Sequence, residues 1–218
     1  MRGVIELTTK LIGVSIDSSF VQPRPFAKER LDQIGLRALD SFKANGLQPE
    51  HIGLRTVDVL FGYELNFTLF GGSTTFRLTG AHLILNFQNI LNRDALRIVA
   101  ETASRAHSLF EETEFLEHAI GVAAHLSFRD EQEEKNANGF MQDPVRQIEF
   151  LGRLAHFRIP EWQQTIRLEI DRSIFFPPGL FMSWNSSWRG KLDVDTLTQA
   201  AKAFEIAANR FDFNIVVP

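Results

Sequence analysis

The amino-acid sequence predicts an α+β fold in which one β-α-β-β-α unit occurs twice. The first observation is a repeated stretch: residues 9–20 read TKLIGVSIDSSF, residues 117–128 read EHAIGVAAHLSF, and both contain Ile-Gly-Val and end in Ser-Phe. The second is a pair of alanine-rich segments, 92–110 and 193–211, which each begin with a capping residue and end in Phe. The shared order of these elements indicates an internal duplication.

The first repeat begins with the strand at 9–20 and continues with a helix at 27–46. One face of this helix carries the apolar residues Leu31, Ile34, Ala38 and Phe42. That spacing is typical of an amphipathic helix. Asn45-Gly46 favours its end, because Gly adopts the left-handed conformation that closes many helices.

Two long strands are expected next. Residues 57–70 alternate between apolar and polar side chains, which predicts one half-buried antiparallel strand. Gly71-Gly72-Ser73 forms a turn, and 75–87 form the return strand, with a bulge at Gly80 where the apolar positions change from even to odd. In the strand at 57–70 we expect Val59, Phe61, Leu65 and Phe67 on the buried face. We expect Glu64 and Asn66 on the opposite face.

The second repeat is expected to follow the same order. A polar, mobile loop at 129–143 precedes a helix at 143–157, which Asp143 caps and Pro144 begins. Ile166, Leu168 and Ile170 alternate with Arg167, Glu169 and Asp171 in a further strand. A shorter strand is expected near 180–185.

These elements predict ferredoxin-like repeats at 1–116 and 117–218, in one compact globule. Together they form one mainly antiparallel or mixed sheet of about seven strands, backed by four helices. Leu96 and Leu197 should then occupy equivalent positions, as should Phe110 and Phe211.

Composition excludes several kinds of site. The chain has 218 residues, a formal net charge of −4 and no cysteine. The negative charge argues against nucleic-acid binding, and the absence of cysteine excludes disulfides and thiolate metal sites. The six histidines are dispersed, so we expect no metal site and no cofactor. With neither a signal sequence nor a membrane span apparent, we expect a soluble, cytoplasmic protein that does not contact membranes.

The polar face of the sheet contains the candidate catalytic residues Arg77, His82, Glu169 and Asp171. Glu169 and Asp171 are two apart on one strand, so their carboxylates share a face, as general acid–base chemistry requires. No known catalytic motif accompanies them.

The segment 173–188, SIFFPPGLFMSWNSSW, is the stronger candidate for function. Its apolar side chains are too many for one short hairpin to bury, which indicates an exposed aromatic loop. The candidate binding residues are Phe175, Phe176, Phe181, Trp184 and Trp188.

We therefore expect a non-enzymatic binding or assembly protein that docks on a protein partner or a second copy through 173–188 and the sheet face. One alternative is a small apolar-ligand binding protein with a Phe-lined pocket, suggested by the 20 Phe residues. The other is a hydrolase or RNA-processing nuclease, by analogy with other duplicated ferredoxin-like chains.

Overall fold

The computed structural model describes residues 4–58, 62–111, 114–141, 152–159 and 164–218. Val59 and Phe61, expected to be buried, lie outside the described residues. Asp143 and Pro144, the expected start of a helix, also lie outside them.

Ten strands and four helices make up the described fold. The strands are β1 (Ile5–Phe20), β2 (Gly53–Asp58), β3 (Gly62–Leu69), β4 (Thr74–Leu78), β5 (His82–Ile90), β6 (Phe115–Phe128), β7 (Arg153–Ile159), β8 (Gln164–Arg172), β9 (Gly179–Trp188) and β10 (Phe213–Val216). The helices are α1 (Lys28–Phe42), α2 (Arg93–His107), α3 (Glu131–Met141) and α4 (Val194–Asn209).

The strands form a single sheet in the order β2-β3-β4-β5-β1-β6-β9-β8-β7. The long strands β1 and β6 pair at its centre, with Val14 opposite Val122. Strand β10 runs parallel to the start of β1, and the other described pairs are antiparallel. The α+β class and the mainly antiparallel sheet are confirmed, but the sheet is larger than the predicted seven strands and than a ferredoxin-like sheet.

Two of the three additional strands arise because two predicted strands are hairpins. The prediction of one strand at 57–70 is wrong, since β2 pairs back on β3 with Thr56 opposite Tyr63. Gly62 begins β3 with φ +70°, a conformation that side chains other than Gly rarely adopt.

Likewise, β4 and β5 form a tight hairpin with Leu78 opposite Leu83, where a bulge at Gly80 was predicted. Leu78, at an even position, then faces Leu83, at an odd one. The apolar residues therefore change from even to odd positions across the turn, as they would at a bulge.

The segment between β6 and β8 also differs from expectation. The predicted mobile loop contains α3, where Asp130 accepts a hydrogen bond of 2.9 Å from the backbone N–H of Glu133. The predicted helix at 143–157 is wrong over its last residues, because β7 pairs with β8 from Arg153 to Ile159.

Apolar and polar side chains alternate along the strands, so the sheet has one mainly apolar face and one mainly polar face. One face, here the covered face, contributes most of the buried apolar core, and α1, α2 and α4 pack on it. Phe42 of α1 contacts Phe67 with ring centroids 6.1 Å apart. Side chains of α2 and α4 lie over Val14 and Val122 at the centre of the sheet. Helix α3 lies near Phe128, at the end of β6.

The caps predicted for α2 and α4 are confirmed. Asn92 accepts a hydrogen bond of 2.9 Å from the N–H of Ala95, and Asp193 accepts one of 3.0 Å from that of Thr196. These bonds satisfy amide groups that the first turn of a helix leaves without partners.

Strand β3 separates buried apolar residues from polar ones, as expected. Leu65 and Phe67 are buried on the covered face. Glu64 lies on the other face but is buried too, with only 4% of its surface exposed. Asn66 and Arg77 donate hydrogen bonds to its carboxylate, so its burial does not leave an unpaired charge.

Candidate functional site

The second face of the sheet, here called the open face, is largely polar. At its centre Ser15 pairs with Asn86 on one side and with Gly121 on the other, and Gly121 pairs with Asn185. A Cβ atom at Gly121 would lie 2.6 Å from Ser15 Oγ and 2.7 Å from Asn185 Oδ1. Ser15 and Asn185 are exposed. Among the described helices, α1, α2 and α4 pack on the covered face, and none covers this centre, which forms a shallow polar trough.

An aromatic cluster lies at one corner of the open face. It consists of Phe175, Phe176 and Phe181 around the ring of His125. The centroid of that ring is 5.0 Å, 5.8 Å and 5.1 Å from the three phenyl centroids, respectively. These distances are typical of packed aromatic pairs. Partial burial lowers the pKa of His125, which favours the neutral ring in this apolar setting.

Hydrogen bonds hold the turn that carries two of these phenyl rings. Ser173 Oγ accepts a hydrogen bond of 3.0 Å from the N–H of Phe176 and lies 2.9 Å from His125 Nδ1. The N–H of Ser173 donates to the carbonyl of Gly179 across the turn. The turn is thus tied to both β6 and β9.

The tip of this turn exposes its apolar side chains. Ile174 is 81% exposed, Phe175 68% and Phe176 38%, whereas Phe181 beside them is half-buried. Three consecutive exposed apolar residues next to a half-buried one form a contiguous patch, which is typical of an interaction surface.

The rest of the predicted loop is not a loop. Residues 179–188 form β9, and Trp184 and Trp188 lie in the core, 0% and 6% exposed. They alternate with Ser183, Asn185 and Ser187, which point to the open face. The structure therefore separates the two tryptophans from the three phenylalanines with which they were grouped.

The candidate catalytic residues are already paired with neighbours. Arg77 donates two hydrogen bonds to Glu64 Oε2, at 3.0 Å and 2.9 Å. His82 Nδ1 lies 2.7 Å from Asp17 Oδ1. Burial alone would raise the pKa of Glu64, but the hydrogen bonds from Asn66 and Arg77 and the nearby arginine charges outweigh it and lower that pKa.

Glu169 and Asp171 lie elsewhere on the open face. They belong to β8, which three strands separate from the β5 residue His82. At about 4.8 Å per strand spacing, His82 lies about 19 Å from β8 across the sheet, and Arg77 on β4 is one strand further away. The structure therefore does not bring Arg77 and His82 together with Glu169 and Asp171.

Sequence reasoning missed a buried histidine chain beneath α2. Ser18 Oγ lies 2.7 Å from both His107 Nε2 and His118 Nδ1. The other ring nitrogens donate to backbone carbonyls: His107 Nδ1 to Ala103 at 2.8 Å and His118 Nε2 to Gly190 at 2.8 Å. The chain joins β1, β6, α2 and the segment after β9. No local pattern identifies it, because its members lie far apart in the sequence.

The two carbonyls accept only, so the ring nitrogens facing them must both carry protons. Ser18 has one hydroxyl proton for its two histidine contacts. It can therefore donate to only one of the two rings at a time. Burial above all lowers the pKa of His107 to about 4, and the nearby His118 contributes, so the His107 ring is neutral at neutral pH.

A cavity of about 270 Å³ lies between α2 and α4 over the centre of the covered face. Its floor is formed by Ile12, Val14, Ile120 and Val122, its walls by residues that include Leu96, Ala100, Leu197 and Ala201, and one end by Ile215 and Val217. Phe204 is the one Phe among the described residues that line it, so the cavity is aliphatic where a Phe-lined pocket was expected.

The described residues contain no group of three or more His, Cys, Asp or Glu side chains placed to hold a metal ion. Among the helices in the described part of the chain, none has the length and apolar character needed to cross a membrane. The chain matches no model of a known protein family and has no significant match among curated proteins.

Proposed function

We propose that this chain is a non-enzymatic binding protein that assembles with a second copy of itself through the aromatic cluster and the adjoining open face. The exposure of Ile174, Phe175 and Phe176 at a hydrogen-bonded turn, beside a sheet face that no described helix covers, carries the proposal. Large exposed aromatic groups of this kind are typical of the centres of protein interfaces.

The energetics favour association at this patch. Burying a Phe side chain contributes about 1.5–3 kcal/mol, so two of them supply about 3–6 kcal/mol before the cost of association. The bonds of Ser173 to Phe176, His125 and Gly179 already order the turn, which reduces the entropy lost on docking.

The surroundings of the cluster suit pairing between identical copies. In a two-fold dimer the same patch meets itself, so the patch must complement its own chemistry. Apolar rings meet this condition without a matching charge. Next to them on β8, Arg167, Glu169 and Asp171 supply both signs of charge, so a rotated copy can place opposite charges together.

Sedimentation equilibrium of wild type and the double variant Phe175→Ser/Phe176→Ser tests the proposal. Wild type should associate at micromolar concentration, and the double variant should remain monomeric with an unchanged thermal midpoint. The control is Leu36→Ser, because Leu36 is 64% exposed on α1 and lies outside the cluster. This variant should associate like wild type.

A monomeric wild type would refute self-assembly. Unchanged association of the double variant, together with a strongly lowered thermal midpoint, would mean that the rings stabilise the core of their own chain.

We also propose that the chain consists of two ferredoxin-like repeats, 1–116 and 117–218, enlarged by extra hairpins and backed by four helices. Leu96 and Leu197 support this, since each is the fourth residue of its helix and lines the same cavity. Phe110 and Phe211 each follow one of these helices and are partly buried.

We further propose a cytoplasmic location, which the absence of cysteine from the sequence favours.

A further inference from the structure

We infer that the cavity between α2 and α4 is a binding site for a small anionic amphiphile, with its apolar tail on the floor of the cavity and its head at Arg97. This inference is independent of the proposed self-assembly, because the cavity lies on the covered face and the aromatic cluster on the open one.

The floor of the cavity is left incompletely covered. Val122 lies at the centre of the sheet beneath the helices, yet it is only partly buried, as is Leu96 above it. The cause is the small size of Ala100 and Ala201, which line the cavity from the two helices. Apolar surface that stays in contact with water at this position is a favourable place for an apolar ligand.

The volume limits the size of the occupant. An apolar cavity of about 150 Å³ holds one benzene molecule, so 270 Å³ suits roughly ten non-hydrogen atoms. One turn of an α-helix, taken as a cylinder about 10 Å wide and 5.4 Å long, fills about 420 Å³. The cavity therefore fits a small molecule and is too small for a helix of a protein partner.

The polar residues among the lining specify the head group. They are Arg97, Thr198 and Glu205, and all three are exposed. The hydroxyl of Thr198 donates to the carbonyl of Val194 at 2.8 Å. Arg97 makes a loose ion pair of 3.7 Å with Glu101, at a position where 73% of its side chain is exposed.

The ion pair between Arg97 and Glu101 is long and exposed, so it contributes little to the stability of the fold. A carboxylate head can therefore replace Glu101 as the partner of Arg97, with a bidentate contact available to it. Glu205, contributed by α4, disfavours an anion on that side of the cavity, which assigns the head to the α2 side.

The experiment uses decanoate as the probe, below its micelle concentration, with decanol as the uncharged counterpart. Binding to the full chain is followed by calorimetry and by NMR shifts of the methyl groups of Ile120 and Val122. Decanoate should bind with saturable shifts at these methyls and several-fold more tightly than decanol. Arg97→Gln should remove this preference and leave the affinity for decanol unchanged.

A second pair of variants tests the cavity itself. Ala100→Leu places a larger side chain in the cavity, so it should abolish binding while keeping or raising the thermal midpoint. Ala103→Leu is the matched control, since Ala103 is on the same helix, fully buried and not part of the lining. This control should lower the midpoint by overpacking.

Absence of saturable shifts at the floor methyls overturns the inference. So does unchanged decanoate affinity in Ala100→Leu, which would place the ligand elsewhere. A midpoint lowered in Ala100→Leu as much as in Ala103→Leu would also overturn it, because the space would then be filled by the chain. Equal binding of decanoate and decanol to wild type would refute the assignment of the head to Arg97.

Discussion

The buried histidine chain should make the stability of the fold depend on Ser18 and on pH. In Ser18→Ala, His107 Nε2 and His118 Nδ1 lose the hydroxyl that lies 2.7 Å from each. Leaving a buried polar atom without its partner costs about 1–3 kcal/mol, so with two such atoms the variant should lose about 2–6 kcal/mol of unfolding free energy. Ser15→Ala is the control on the same strand, because Ser15 is exposed on the open face and should change stability by less than about 0.5 kcal/mol.

The pH dependence follows from His107. Burial lowers the pKa of His107 to about 4 in the folded chain, whereas in the unfolded chain it has the ordinary histidine value of 6.5. Below pH 6.5 the unfolded chain takes up a proton at this position while the folded chain does not. The stability that His107 contributes is therefore fully present above pH 6.5 and is lost as the pH falls towards 4. At about 1.4 kcal/mol per pKa unit, the loss amounts to about 3 kcal/mol.

Urea unfolding of wild type, followed by tryptophan fluorescence at pH 7.5 and pH 4.5, measures this loss. His107→Gln keeps a polar side chain but cannot titrate, so it should lose less stability than wild type on the same acidification. Other groups titrate in both proteins, and their contribution cancels in the comparison. An equal acid-induced loss in the two proteins would refute the protonation scheme, and an unchanged stability of Ser18→Ala would refute the hydrogen-bonded chain.

Three further predictions concern the first half of the chain. Phe67→Ala should cost about 3–5 kcal/mol in denaturant unfolding, because Phe67 is buried and stacks on Phe76 with centroids 4.1 Å apart; a cost below about 1 kcal/mol would contradict this packing. Gly62→Ala should destabilise more than Gly71→Ala in thermal melts, since both glycines have positive φ but a Cβ at Gly62 would lie 2.9 Å from Pro25; equal effects would show that Pro25 yields. Because the pKa of Glu64 is lowered in the fold, its contribution to stability is present above its ordinary pKa of 4.5 and lost on acidification through the lower folded value. Glu64→Gln should therefore lose less stability than wild type in acid titration, and an equal loss would contradict the pairing with Arg77.

The parts of the fold that the sequence predicted correctly depend on local signals. Asn92 and Asp193 cap helices α2 and α4, as expected, because a capping side chain acts on the backbone three residues away. The strand at 117–128 was also predicted, from its similarity to 9–20, and the two stretches lie in the paired central strands β6 and β1.

The errors arise where different structures produce the same pattern. Around Gly80 a bulge and a tight hairpin both shift the apolar positions by one, and only the pairing of Leu78 with Leu83 distinguishes them. Helix α3 gave no apolar stripe, because Ala137 and Glu133 are the buried residues among those of its side chains that are described. The helix predicted at 143–157 rests on Asp143 as cap and Pro144 at its first position, which are start signals that do not specify where the helix ends, and Arg153 onwards forms β7.

The candidate site was only partly predictable. An excess of apolar residues around Pro177-Pro178 correctly indicated exposed side chains at Phe175 and Phe176. The burial of Trp184 could also have been predicted, because Ser183 and Asn185 alternate with it as in a half-buried strand. In contrast, the position of His125 beneath the rings depends on the pairing of β6 with β9, which the chain specifies only through long-range contacts.

The most direct test of the proposed docking surface is hydroxyl-radical footprinting of the chain across the concentration range in which it associates. Phe175 and Phe176 should be oxidised readily at low concentration and become protected as the assembly forms. Leu36 on α1 should be oxidised equally throughout and serves as the internal reference. An assembled protein in which the two phenylalanines remain as reactive as in the monomer would contradict the account, because its interface would then lie elsewhere.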